Sequence, residues 1–179
     1  MKYQLILKNI NNISVTGVLE FDPPNTTKKH LDQSTWKKVA IIQMDGDVDD
    51  YYRWFMMKQY GLKLCTPIRG PHITIINDSV NDLSINLPID KIEDAWDIVK
   101  NRWNGNKLTT SLDVDIRSDG KHWWLKVPTN DRNEIHAIRQ ELGLDRPFFG
   151  LHMTIGYAND RDLPRSKFIL DNMIKLQIK

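Results

Sequence analysis

The chain has 179 residues, 40% of them hydrophobic and 27% charged, and a formal net charge of +2. That balance argues against disorder and against a protein that coats duplex nucleic acid, which needs a cationic excess. One domain spanning residues 1–179 is expected, with a single cysteine, Cys65, and so no intrachain disulfide.

A lone thiol fits a reducing, cytoplasmic setting. The opening Met1-Lys2-Tyr3-Gln4-Leu5-Ile6 has too short an apolar run for a signal peptide, and no segment has the length of a membrane span. Residues 2–8 and 13–21 read as strands around Asn9-Ile10-Asn11-Asn12. Pro23-Pro24-Asn25 ends the second, and a polar loop follows from Lys28 to Thr35. Val39–Met44 has strand length. Asp45 or Asp47 is placed to cap a helix that carries Val48, Tyr52, Phe55 and Met56 and stops at Gly61.

Residues 71–77 form the next expected strand. A helix from Ile89 to Trp103 follows, with Asp90 and Glu93 as a capping box, a stripe of Ile92, Ala95, Trp96, Val99 and Trp103, and Gly105 beyond. Residues 108–117 and 121–127 alternate at period two about Ser118-Asp119-Gly120 and read as a hairpin. A third helix, Asp131 to Leu142, stops at Gly143, and residues 151–157 return to strand. The order predicts an α+β fold of two similar lobes, each of antiparallel sheet plus helix.

One six-residue frame occurs twice. Gly70-Pro71-His72-Ile73-Thr74-Ile75 returns as Gly150-Leu151-His152-Met153-Thr154-Ile155. Residues two apart on a strand share a face, so each copy sets a His and a Thr on one side and aliphatics on the other. Histidine ionises near neutrality and serves as acid or base. Threonine hydroxyls donate to phosphoryl oxygens as charge builds there. His72, Thr74, His152 and Thr154 are therefore the candidate catalytic set. A lone His-x-Thr is usually an ordinary wet strand face, but neither His nor Thr helps a strand as Val or Ile would. Gly70 and Gly150 are expected to allow a close approach or a bulge before each strand.

Five histidines are present, but none has His-x-x-x-His or Glu-x-x-His spacing, so no metal site and no cofactor is expected. On the strand at 121–127, Trp123, Leu125 and Val127 share a core-like face. Trp124 and Lys126 share the other with His122, where Trp124 suits a stacked base and Lys126 a phosphate. Arg69 is a further phosphate candidate. Trp36 and Tyr51 are further stacking candidates.

At the paired motifs His72-Ile73-Thr74-Ile75 and His152-Met153-Thr154-Ile155, the chain resembles the two-histidine phosphoesterase superfamily. That group includes LigT-type 2′–5′ RNA ligases and cyclic phosphodiesterases, and phage nucleases that destroy the cyclic oligonucleotide signals of CBASS immunity. The segments Asp49-Asp50-Tyr51-Tyr52-Arg53-Trp54-Phe55 and Pro147 to Gly156 suggest the phage anti-CBASS branch. The resemblance implies a bilobal fold around a central groove and a metal-independent phosphodiesterase with a cyclic di- or trinucleotide substrate. Chemistry on 2′,3′-cyclic or 2′–5′ RNA ends, and binding without cleavage, stay open as alternatives. One departure stands out: many LigT-type members carry a basic residue near the second motif, where this chain has Gly156 and Tyr157.

Overall fold

The computed structural model describes residues 11–24, 38–45, 47–67, 69–77, 89–129, 132–144, 147 and 150–177, without the side chains of 89–94 and 174–177. The described strands are β1 (Asn12–Phe21), β2 (Ala40–Met44), β3 (His72–Ile76), β4 (Lys107–Asp113), β5 (Ile116–Ser118), β6 (His122–Lys126) and β7 (His152–Tyr157). The helices are α1 (Val48–Tyr60), α2 (Ile89–Trp103), α3 (Asn133–Glu141) and α4 (Leu163–Gln177). All seven strands join one antiparallel sheet in the order β4-β1-β2-β3-β7-β6-β5. The fold is α+β, as the element order predicts.

Alternation along each strand decides which face the helices cover. Val15, Leu19 and Phe21 of β1, Ala40 and Ile42 of β2, Ile73 of β3, Met153 of β7 and Trp123 and Leu125 of β6 are all buried in one core cluster. Tyr52 and Met56 of α1, Trp96 and Val99 of α2, Ile135 and Ile138 of α3 and Ile169 of α4 complete that cluster. Trp123 is wholly buried, and its indole N–H donates to Ser166 Oγ of α4 at 2.8 Å. The opposite face of the sheet carries the polar residues of the motif strands.

Helix bounds agree closely with expectation for α1 and α2. Gly61 ends α1 with φ 59°, the left-handed cap. Asp47 stands at the N-cap but makes no side-chain capping bond, a correction to its expected role. The proposed Asp90–Glu93 box and Ile92 lie outside the described side chains. So do residues 2–8 and the polar loop, which lie outside the described residues altogether. Helix α3 begins later than expected, at Asn133.

The larger correction concerns residues 108–117, which do not form one strand. They divide at Val114 and Asp115 into β4, paired with β1, and β5, paired with β6. These are the two edges of the sheet. Seven flat strands would set their outermost members about 29 Å apart. Asp113 and Ile116 are three residues apart and so within about 11 Å. The sheet must therefore curl until its edges approach. The turn Ser118-Asp119-Gly120 forms as expected, with Asp119 Oδ1 accepting the N–H groups of Lys121 and His122.

Candidate active site

The two motif strands lie side by side at the centre of the sheet. Ile73 of β3 pairs with Met153 of β7 in antiparallel sense. Antiparallel pairing about that point lays His72 beside Thr154 and Thr74 beside His152. Ile73 and Met153 are fully buried in the core, so all four polar side chains project from the other face. Diagonal neighbours across such a pair stand roughly 7–8 Å apart, a span that one phosphodiester can bridge.

Both imidazoles are held in the same way. His72 Nδ1 donates to the Gly70 carbonyl at 3.0 Å, and His152 Nδ1 donates to the Gly150 carbonyl at 2.6 Å. A carbonyl only accepts, so the proton sits on Nδ1 and leaves Nε2 for a substrate. The Gly-x-His part of the frame thus supplies each ring's orienting bond. Among the described residues neither threonine hydroxyl has a protein partner, which leaves both for a ligand.

Gly70 adopts φ +77°, a left-handed conformation that favours glycine. Gly150 does not: it lacks a positive φ, and a Cβ there would meet nothing within 4 Å. The steric role expected for Gly150 is therefore corrected. Close approach occurs at Gly156, where a Cβ would stand 2.8 Å from both the Cys65 carbonyl oxygen and Leu64 Cβ. No larger residue fits there, which is why a basic residue cannot stand at that point. Gly156→Ala should destabilise by about 1–3 kcal/mol in urea titration, while Gly150→Ala should stay within about 0.5 kcal/mol.

The two histidines sit in unequal surroundings. Ile41, paired with Thr74, is fully buried on the motif face, so the first motif lies deeper than the second. Burial holds His72 below the ordinary histidine value of 6.5, and the nearby Arg69 and His152 charges add to this. The Gly70 carbonyl bond and Glu20 act in the opposite direction but are outweighed. A lowered folded pKa means the unfolded chain takes the proton more readily. Stability should thus be full above about pH 6.5 and fall as the pH drops through the folded value; His72→Gln should remove that part of the slope in melting curves.

The neighbouring strand β6 brings two more expected residues to this face. Trp124 pairs with Thr154 and Lys126 with His152. The Trp124 ring lies 5.8 Å from the His152 ring, tilted by 54°. Lys126 is half-buried and makes no ion pair among the described residues. Arg69 is placed otherwise than expected. Its side chain is only 6% exposed, with Nη2 on Glu20 Oε2 at 2.9 Å and Nη1 on the Pro24 carbonyl. Its charge is already matched, so it serves as a strut beside His72 and not as an open phosphate contact.

Tyr51 is exposed on α1, where it packs against Tyr52 and Trp54. That helix covers the core face, so Tyr51 does not share the motif face. Trp36 lies outside the described residues. Sequence reasoning passed over Gln43, which pairs with His72 and donates from Nε2 to the Pro71 carbonyl at 3.0 Å. A polar residue late in an otherwise apolar strand, Val39–Met44, was its available signal. A separate cavity of about 500 Å³ lies between β4 and α3, lined by Ser14, Lys107, Thr110, Ser111 and Glu134 among others, and contains none of the four motif residues.

Among the described residues, no group of three or more His, Cys, Asp or Glu converges as a metal site would require, and no helix is long and apolar enough to cross a membrane. Compared with family models, with curated proteins and with solved structures, the chain matches none, so the functional reading rests on the site itself.

Proposed function

We propose that the protein is a metal-independent phosphodiesterase that opens 3′–5′ cyclic oligonucleotides, acting in the cytoplasm of a phage-infected bacterium as a counter to CBASS-type immunity. The observation that carries the reading is the crossed quartet His72, Thr74, His152 and Thr154, with both rings fixed through Nδ1. In this reading the sheet is the two-lobed frame of the two-histidine phosphoesterases. The lobes are β4-β1-β2-β3 and β7-β6-β5, and they meet at the motif strands.

The chemistry follows from the unequal surroundings. A general base must be neutral, and His72 is the ring whose charged form is disfavoured by burial. Its Nε2 takes the proton of a ribose 2′-hydroxyl, whose oxygen then attacks phosphorus. The bond from phosphorus to the 5′-oxygen breaks, and that oxygen takes the Nε2 proton of a protonated His152. The products are a 2′,3′-cyclic phosphate and a free 5′-hydroxyl, so atoms and protons balance. Thr74 and Thr154 donate to the non-bridging oxygens, where charge accumulates. Lys126 offsets phosphate charge, and Trp124 offers a base its ring face.

The test is a panel of cyclic di- and trinucleotides and 2′,3′-cyclic RNA, incubated with chelator and resolved by chromatography. Linearised cyclic oligonucleotide in EDTA, with 2′-deoxy analogues surviving, is the expected result. Conversion of RNA ends alone would move the activity to the LigT-type reaction. Recovery of every ligand intact, though bound, would overturn catalysis in favour of sequestration.

A further inference from the structure

Each motif strand carries a matched irregularity. On β3 the pairing with β2 passes from Ile41–Thr74 to Ala40–Ile76, so Ile75 is one residue in excess. On β7 the pairing with β6 passes from Trp124–Thr154 to Trp123–Gly156, so Ile155 is in excess. Both are the residue three after the histidine, and both are fully buried. A bulged residue leaves the ladder, and its buried carbonyl then needs another donor.

A guanidinium supplies that donor in both places. Arg139 of α3 donates from Nη1 to the Ile75 carbonyl at 2.9 Å, and Arg53 of α1 donates from Nη1 to the Ile155 carbonyl at 3.0 Å. The attachment is crossed. Arg53 belongs to the helix before the first motif yet holds the second, whereas Arg139 precedes the second motif and holds the first. Arg53 is in turn oriented by Asp49, which is buried, and by Asp50 on the same helix. Arg139 is itself buried.

We infer that Arg53 and Arg139 are positioning residues of the site, each fixing the bulge, and hence the aim of His and Thr, on one motif strand. The inference rests on His72 and His152 being the acid–base pair. Its physical basis is register: a one-residue slip of a strand exchanges its two faces, which would turn the histidine into the core and an aliphatic onto the polar face. Holding the carbonyl of the extra residue keeps that residue at position 75 or 155. A guanidinium stays charged at every working pH, so the hold does not weaken where the histidines titrate.

The test uses Arg53→Lys and Arg139→Lys, read by imidazole nitrogen NMR without substrate, so it stands whether or not the protein cleaves nucleotides. Arg139→Lys should shift the His72 signals and leave His152 unchanged; Arg53→Lys should do the reverse. Where a substrate is turned over, each variant should lower kcat about 10–100-fold with little change in KM. Equal disturbance of both rings, or of neither, would overturn the inference. Should a lysine variant fail to fold, the unmodified protein still decides. Its Arg53 and Arg139 Nη protons should be resolved and slow to exchange, unlike those of exposed Arg161, and fast exchange at both would sink the proposal.

Discussion

Alanine at His72 or at His152 should lower cleavage of a cyclic oligonucleotide by about 10²–10⁴-fold each. Both variants should remain folded, because the strands are anchored by Ile73, Ile75, Met153 and Ile155, all buried in the core. The effects should not multiply. Acid and base act on one transition state, so the double variant should be little slower than the weaker single one. Turnover by chromatography, with far-UV circular dichroism as the control for folding, checks the result. Wild-type rate in either variant would remove that imidazole from the reaction.

Trp123→Ala should cost about 3–5 kcal/mol of folding free energy, the range for emptying a large buried aromatic site. Trp123 is fully enclosed among core residues. Its loss also takes the donor from the Ser166 hydroxyl, which is itself buried. The consequence reaches the site, because Trp123 sets the face on which its neighbour Trp124 stands. Urea unfolding followed by circular dichroism measures the loss, and a change below about 1 kcal/mol would contradict this account of the core. Trp124→Ala should leave stability nearly intact while weakening binding.

The motif strands and their shared face could be read from the chain because period two and the repeated frame point the same way. Helix α2 could be read because Ala95, Trp96, Val99 and Trp103 fall on one stripe. The split between β4 and β5 could not. Leu108, Thr110, Leu112, Val114 and Ile116 keep their alternation straight through the break, since both strands lay the same side on the core. Periodicity therefore says nothing about a strand that changes edge. Helix α4 was missed for a different reason. Ser166 stands on its core-facing stripe ahead of Ile169 and Met173, as the acceptor of the Trp123 N–H, and interrupts the apolar spacing. Pro164 in the first turn was the usable signal. The arginines Arg53 and Arg139 look like ordinary helix surface residues until the bulges they meet are known.

The link at Val114 and Asp115 has a mechanical consequence. Spreading the halves apart about the seam of β3 and β7 would pull on a two-residue tether between the outermost strands. That tether is further moored, with the Val114 N–H on the Asn11 carbonyl at 3.0 Å and the Val114 carbonyl accepting from the Tyr52 hydroxyl at 3.5 Å. Opening of the sheet is thereby restrained at the edge where β4 passes into β5, and the two motif strands are held in register from the far ends of the same sheet.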